Sequence, residues 1–222
     1  YVSMINDIAP GIINETGSDL NLQELPNLKS IFIINKDKNT KINSFENLVN
    51  LEGPSSLTDI NLDPDEDINI QFTSGTTGSP KGATLTHFNI VNNGFFVGEA
   101  MRFSNRDILC VPVPLYHCFG MVMGILTCVS HKATIVLPDY SFDPNTCLEA
   151  IDKYKCTAIH GVPTMFVAML ENPAFSHYSF NSLRTGIMAG APCPIEGMKK
   201  GQSKMHVPEI TIAYGMTETS PV

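Results

Sequence analysis

Two spacings of apolar residues alternate along the last half of the chain. Short runs rich in β-branched residues predict strands over residues 107–113, 133–137, 157–161, 182–188 and 209–213. The longer segments between these runs predict helices over residues 119–130, 143–153, 164–170 and 194–205. Alternation of strands and helices is typical of a parallel sheet with helices on both faces, so the pattern predicts an α/β fold.

Two of these helices carry signals of their own. Asp143 is expected to cap the helix over 143–153, with Pro144 at its first position. Gly197 and Gly201 lie four residues apart inside the helix over 194–205, where each costs about 1 kcal/mol relative to alanine. Either another backbone packs closely on that helix face, or the helix is locally weak.

The beginning of the chain has weaker periodicity. Residues 1–28 are polar and rich in turn residues, the β-branched run over 29–35 predicts a strand, and residues 36–67 are typical of surface structure. We therefore expect a partial N-terminal segment over residues 1–67 and a core domain that begins at residue 68.

A loop rich in glycine and hydroxyl residues follows a predicted strand over 68–72 and precedes residues 83–101, which we predict to be largely helical. Its sequence over residues 73–82 is T-S-G-T-T-G-S-P-K-G. Glycine lets backbone N–H groups turn inward, and a concave run of such groups with nearby hydroxyls binds anions. Lys81 adds a compact positive charge for phosphate oxygens. The loop therefore predicts a polyphosphate site.

Three other interpretations of this loop are weaker. A Walker loop would place glycine where Pro80 stands, and Thr77 breaks the dinucleotide fingerprint. A flexible Gly/Ser/Thr linker does not require a preceding strand or a lysine at its end.

Further glycine-bearing turns follow other predicted strands, and ligands of parallel sheets bind at the carboxyl ends of strands. These turns, at Gly161, residues 189–192 and Gly215, are expected to converge with the loop on one crevice.

Composition excludes several classes of function. The net charge of −8 and the lack of a long basic cluster argue against nucleic-acid binding. The six cysteines form no C-x-x-C pair and no zinc pattern, which favours free thiols in a reducing compartment. The longest apolar run, over residues 119–129, is shorter than the ~20 residues of a membrane span. Because the chain starts at Tyr1 and stops directly after a motif, we expect it to be part of a longer protein.

The loop and the motifs around it resemble the acyl-adenylate-forming enzymes, the AMP-dependent synthetases and ligases. This family includes acyl-CoA synthetases, luciferases and peptide-synthetase adenylation domains. The similarity is closest to the mitochondrial medium-chain fatty acyl-CoA ligase branch and covers about Ile68 to Val222. The motifs that carry it are the loop, A-T-L-T-H-F-N-I-V-N-N at 83–93, P-L-Y-H-C-F-G at 114–120 and A-Y-G-M-T-E at 213–218. The resemblance implies the αβα sandwich of the family's large N-terminal domain, here incomplete.

The resemblance also implies the chemistry. A fatty acid carboxylate would attack the α-phosphorus of ATP to give acyl-AMP and pyrophosphate, and the thiol of coenzyme A would then take the acyl group and release AMP. ATP, Mg²⁺ and coenzyme A are the implied cofactors and co-substrates. The implied location is the mitochondrial matrix, with the cytoplasm as the alternative, and the oligomeric state stays open.

The resemblance assigns roles to individual residues. Lys81, His117, Thr217 and Glu218 are the implied catalytic residues: His117 orients the carboxylate, Thr217 contacts the α-phosphate and Glu218 holds Mg²⁺. Tyr214 is expected against the adenine. Nucleotide-binding residues are expected to be Thr73, Ser74, Gly75, Thr76, Thr77, Gly78, Ser79, Pro80, Lys81, Gly190, Ala191, Pro192, Tyr214, Gly215 and Thr217. Walls of the acyl tunnel are expected at Phe119, Met121, Gly161, Val162 and Met165, although core packing predicts the same residue types.

Two alternatives stay open. One is an aryl-CoA ligase or another adenylation domain, and the other is a non-catalytic nucleotide- or acyl-binding protein. The family's ribose-binding aspartate, its hinge and its lysine-bearing C-terminal domain would all lie beyond Val222. We therefore expect this chain alone to bind ATP weakly and to have little thioesterification activity.

Overall fold

The computed structural model describes residues 2–12, 19–34, 41–50, 53, 61–73 and 78–222. The chain divides into two units, Tyr1–Asn61 and Leu62–Val222. No described helix combines the length and the apolar character that a bilayer span requires.

The described part of the first unit has two short helices and one short parallel ladder. Its elements are α1 (Val2–Ile8), β1 (Phe32–Ile33), β2 (Asn43–Ser44) and α2 (Phe45–Val49). Ala9, Ile12 and Leu20 form its buried cluster. The strand predicted over 29–35 is reduced to β1, because β2 pairs with only two of its residues, and Asn35 lies outside the described residues.

The second unit begins with a β-hairpin, not with a strand that leads into a helix. β3 (Asp67–Phe72) pairs antiparallel with β4 (Gly82–Thr86). The prediction that helix begins at residue 83 is therefore wrong for residues 83–86. Ala83 and Leu85 are buried while Thr84 is exposed, and this period of two is that of a strand.

Helix α3 (His87–Ala100) begins only after Thr86, which closes a capping box. The Thr86 hydroxyl accepts from the Asn89 N–H at 3.2 Å, and the Asn89 side chain accepts from the Thr86 N–H at 3.3 Å. These two bonds satisfy backbone donors that the first helical turn leaves unpaired, so the local sequence sets the point where strand changes to helix.

The centre of the second unit is a five-stranded parallel sheet with the order β6-β5-β7-β8-β9. Its strands are β5 (Ile108–Cys110), β6 (Thr134–Val136), β7 (Ala158–Gly161), β8 (Thr185–Ala189) and β9 (Glu209–Ala213). Each lies within or beside the strand predicted from the sequence, and the predicted α/β class is confirmed.

Helices follow the strands in the predicted order. They are a π-helix (Phe119–Leu126) that continues as α4 (Thr127–His131), then α5 (Pro144–Lys153), α6 (Pro163–Leu170) and α7 (Ile195–Lys204). The Asp143 carboxylate accepts the N–H groups of Asn145 and Thr146 at 2.9 and 3.0 Å, with Pro144 at the first position, so the predicted cap of α5 is confirmed.

The two faces of the sheet are separated by the alternation of strand residues. Leu109, Ala158 and Ile187 pack in one buried cluster with residues of α3 and the π-helix. Their neighbours Cys110, Ile159 and Met188 pack in another cluster with residues of α5 and α6. Helices therefore cover both faces, as the sequence predicts.

Close packing against the described residues does not explain the glycines of α7. A Cβ at Gly197 would have the Pro194 side chain as its nearest atom, at 3.9 Å, and a Cβ at Gly201 would meet the Ile210 side chain at 3.5 Å. Both distances are ordinary contacts and neither atom belongs to a backbone. Of the two interpretations offered by the sequence, the locally weak helix is the one that fits.

Candidate functional site

The end of the β3–β4 hairpin holds the glycine-rich loop. The Thr73 N–H donates to the Lys81 carbonyl at 2.9 Å, and the Lys81 N–H approaches the Thr73 hydroxyl at 3.4 Å. These bonds close the loop at its base. Gly78, Ser79 and Pro80 are exposed, while the predicted phosphate-binding residues Ser74, Gly75, Thr76 and Thr77 lie outside the described residues.

A cavity of about 430 Å³, called the central cavity below, opens next to this hairpin end and beside the carboxyl ends of β8 and β9. It brings together residues from four separate stretches of the chain. Those predicted from the sequence are Thr73, Lys81, His117, Phe119, Gly190, Gly215, Thr217 and Glu218. The other residues that line it are Met123, Ala189, Ala213, Met216, Pro221 and Val222.

A hydrogen bond from the nearby backbone orients the His117 ring. The Phe119 N–H donates to Nδ1 of His117 at 3.0 Å, so Nδ1 acts as an acceptor and the neutral ring carries its proton on Nε2. The ring lines the central cavity. His117 can therefore offer its Nε2–H group as a hydrogen-bond donor to an anionic oxygen.

The turn after β9 places Thr217 and Glu218 at the cavity wall. A side chain at Gly215 would overlap the carbonyl oxygen of Pro221, so this close approach of two backbone segments requires glycine. The Met216 N–H donates to that same Pro221 oxygen at 2.9 Å. Thr217–Thr219 then forms a single 3₁₀ turn, and the turn holds its shape through its own backbone bonds.

Asn93 of α3 fastens this turn from the other side. Its side-chain amide donates to the carbonyl of Val222 and, at 3.5 Å, to that of Thr219. The Oδ1 atom of Asn93 is buried with no partner in the described part of the protein. The position of Glu218 thus depends on α3, the helix that directly follows β4 of the hairpin.

Several predicted residues lie outside the central cavity. Pro80 lines a neighbouring cavity of about 440 Å³, which shares Thr73, His117 and Thr217 with the central one. Tyr214 is 89% exposed and lines a different cavity of about 590 Å³, against α3. Gly190 has a φ of +82°, which glycine adopts readily, and the exposed Ala191 and Pro192 follow it without lining the central cavity.

Of the five predicted tunnel residues, only Phe119 lines the central cavity. Met121 packs with the cluster under β4, and Val162 and Met165 pack with the sheet. Met123 lines the cavity instead. It stands four residues from Phe119, so helical spacing could have identified it. Ala189 and Ala213 are the last residues of their strands, and the strand-end rule could have found them as well.

The charged residues of the cavity are accessible to a ligand. Lys81 and Glu218 are both exposed and form no ion pair with any described residue. Within the described residues no group of three or more His, Cys, Asp or Glu side chains could hold a metal ion. A single carboxylate fits Mg²⁺, which commonly takes one or two carboxylates together with substrate phosphates.

Comparison with known proteins gives a consistent result. A family model described as AMP-binding enzyme matches residues 9–222. The chain is 43% identical over 229 residues to a Bacillus subtilis protein named acyl-CoA synthetase YngI, and it covers 41% of that protein. It is 38% identical over 228 residues to the mitochondrial medium-chain acyl-CoA ligase ACSF2 of Danio rerio, and it covers 38% of that protein. In both alignments 100% of this chain is matched, so it spans about two fifths of the relatives' length.

Two solved structures are similar in fold. The anthranilate CoA ligase AuaEII in complex with anthranoyl-AMP matches 90% of this chain and 37% of its own chain, with a TM-score of 0.74 and 22% identity. ATP-bound MatB from Rhodopseudomonas palustris matches 75% of this chain and 32% of its own chain, with a TM-score of 0.64 and 29% identity.

Proposed function

The chain belongs to the AMP-binding enzymes, and from that premise we propose that it forms the ATP-binding part of an acyl-CoA ligase that activates a medium-chain fatty acid. The reaction would give acyl-AMP and pyrophosphate first, and then the thioester of coenzyme A. The observation that carries the proposal is the meeting of Lys81, His117 and the Thr217-Glu218 pair at one cavity, although these three sites are far apart in the sequence.

The first step brings two anions together, so its main requirement is positioned positive charge and hydrogen-bond donors. We propose that Lys81, Thr73 and the loop residues 74–80 bind the β- and γ-phosphates, which leave as pyrophosphate. Thr217 would donate to the α-phosphate. Glu218 would hold Mg²⁺ together with phosphate oxygens, and the ion would neutralise part of the triphosphate charge.

The acid would be placed by His117 and by the apolar cavity wall. The Nε2–H group of His117 donates to one carboxylate oxygen and leaves the other free to attack the α-phosphorus. The P–O bond to pyrophosphate breaks as the new P–O bond forms. Because Nδ1 is already used by the Phe119 N–H, His117 acts as an orienting donor and takes up no proton in this step.

Nucleotide contacts beyond the central cavity are also part of the proposal. Gly190, Ala191 and Pro192 would border the adenine and ribose. Tyr214 would reach the adenine by turning from the neighbouring cavity that it lines. Coenzyme A is the proposed second substrate, and the proposed location is the mitochondrial matrix, after the compartment in the name of ACSF2.

Met123 offers a way to test the chain length of the acid. Phe119 and Met123 are large apolar residues of one helix, and both line the cavity together with His117, so a bulkier residue 123 should shorten the accepted acid. We expect Met123→Phe to lower the octanoate-to-butyrate activity ratio. Met121→Phe is the matched control, because Met121 packs under β4 and away from the cavity.

The test of the whole proposal is ATP–pyrophosphate exchange by the full-length protein with acetate, butyrate, octanoate, palmitate and benzoate in turn. The highest exchange rate is expected with octanoate. A maximum with benzoate would favour an aryl-CoA ligase. No exchange with any acid, in a protein that still binds ATP, would favour the non-catalytic alternative. The isolated chain is expected to show weak ATP binding and low exchange.

A further inference from the structure

We propose that the cleft between α6 and α7 binds a small alkyl carboxylate at a second site, separate from the central cavity. The cleft encloses about 180 Å³. It is lined by Pro163, Phe166, Val167, Leu170, Glu171, Met188, Pro194, Gly197, Lys200 and Lys204. None of these residues lines the central cavity.

The floor of the cleft is apolar and already buried. Phe166 and Met188 are each 1% exposed, and Leu170 packs beside the same cluster. Gly197 of α7 lines the cleft and leaves space in it, because a Cβ at this position would find its nearest neighbour 3.9 Å away. Apolar cavities of this kind bind apolar groups of matching size: a cavity of about 150 Å³ accepts benzene. The volume therefore suits a ligand of about six carbons.

The rim of the cleft selects the charge of the ligand. Lys200 and Lys204 stand one turn apart on α7, and neither forms an ion pair within the described part of the chain. Glu171 is the single carboxylate at the rim, so positive charge is in excess there. An apolar floor with a few charged groups at the edge is typical of sites for amphipathic ligands, and two lysines favour an anionic head group.

Hexanoate is the probe that fits both features. With about eight non-hydrogen atoms it should bind with a dissociation constant near the millimolar range. The ligand would bridge α6 and α7 and fill the space that Gly197 leaves. It would also contact Met188, which precedes Ala189 and Gly190 of the central cavity, on the opposite face of the sheet.

The experiment uses the full-length protein labelled with ¹³C at the methionine methyl groups and titrated with hexanoate. Met188 reports on the cleft, while Met123 and Met216 report on the central cavity. A saturable shift of the Met188 methyl is expected. Gly197→Leu should remove this shift and preserve the response of Met123. Val167→Trp is a second blocking variant, because Val167 lies at the 41% exposed edge of the cleft and tolerates a larger side chain there.

Charge is tested with the double variant Lys200→Gln, Lys204→Gln, which should weaken the Met188 response several-fold. Lys199→Gln is its control, because Lys199 pairs with Glu196 at 2.9 Å and does not line the cleft. Equal binding of hexanol and hexanoate would overturn the assignment of a carboxylate. An unmoved Met188 would overturn the second site, and a response at Met123 in that titration would leave the proposed function standing.

Discussion

The two edges of the parallel sheet use charged residues in opposite ways. At the amino edge, four polar residues stand at or just before the first residues of β5, β7, β8 and β9: Asp107, Thr157, Arg184 and Glu209. Asp107 contacts Thr157 and Arg184, and Arg184 also contacts Glu209. At the carboxyl edge, Lys81 and Glu218 border the central cavity and have no described ionic partner. The comparison separates charges that pair with one another between strands from charges that border a cavity and have no described ionic partner.

Asp107 is the centre of the amino edge. Its side chain is 5% exposed and accepts hydrogen bonds from Arg184 at 2.9 Å and from the Thr157 hydroxyl at 2.8 Å. Burial raises the pKa of Asp107, but bonds from Arg184, Thr157 and the Ser104 N–H outweigh burial and lower that pKa below its usual value. The stability that this carboxylate contributes is therefore present above its unfolded pKa and is lost as the pH falls through the folded one.

The largest effect is expected from Lys81→Met. Loss of one positioned charge at the phosphates should lower ATP–pyrophosphate exchange roughly 10²- to 10³-fold. Because Lys81 is exposed and has no ion pair with a described residue, the unfolding free energy measured in urea should change by less than about 0.5 kcal/mol. Lys153→Met, at an exposed position of α5, is the control for loss of a lysine. If unfolding of the variant accounted for its whole loss of activity, the contrast between the two edges would be contradicted.

Arg184→Met should give the opposite result. It leaves the buried Asp107 carboxylate without its cation, which costs about 3 kcal/mol of unfolding free energy, while exchange activity per folded molecule stays the same. Arg102→Met is the matched control, because Arg102 meets Glu209 at 3.5 Å with 80% of its side chain exposed, and such pairs contribute at most about 1 kcal/mol. If both arginine variants lose the same stability in urea titrations, the amino-edge network is not a special structural feature.

His160 sharpens the comparison, because it is a titratable residue of β7 that does not line the central cavity. Its Nε2–H donates to the Met123 carbonyl at 3.0 Å, and its Nδ1 is buried without a partner in the described part of the protein. Burial lowers the pKa of His160 from 6.5 to about 4. Protonation then favours the unfolded chain, so stability is complete above pH 6.5 and declines as the pH falls towards 4.

The difference between the unfolded and folded pKa of His160 corresponds to a loss of unfolding free energy on the order of 3 kcal/mol at low pH. We expect His160→Gln to flatten the dependence of unfolding free energy on pH between these values, whatever its effect at pH 7. His177→Gln, at an exposed position, should preserve the slope. Parallel slopes for the His160 variant and the unmodified protein would show that the buried imidazole does not cause the acid sensitivity.

The sequence predicts the layered fold well because the periods of strands and helices are local. It predicts Gly190 and Gly215 at the cavity because ligands of such sheets bind at strand ends. Tyr214 lines another cavity, since the direction of a side chain after a strand depends on the turn that follows. The sequence does not separate the strand over 82–86 from a helix, because Ala83, Thr84 and Thr86 fit both the strand period and the helix period. The pair of Asp107 and Arg184, separated by 77 positions, leaves no local pattern at all.

The smallest expected effect on stability comes from replacing a glycine with alanine, because the glycines of different regions differ in the space around them. Gly215 at the carboxyl edge cannot accept a side chain, because a Cβ would overlap the Pro221 carbonyl. Gly201 in α7 would place a Cβ 3.5 Å from the Ile210 side chain, an ordinary contact. Gly201→Ala should therefore raise the unfolding free energy by roughly 0.5–1 kcal/mol, measured in urea, whereas Gly215→Ala should lower both stability and exchange activity. Destabilisation by Gly201→Ala would mean that α7 is packed more tightly than its contacts indicate, and the weakness of this helix would then need another cause.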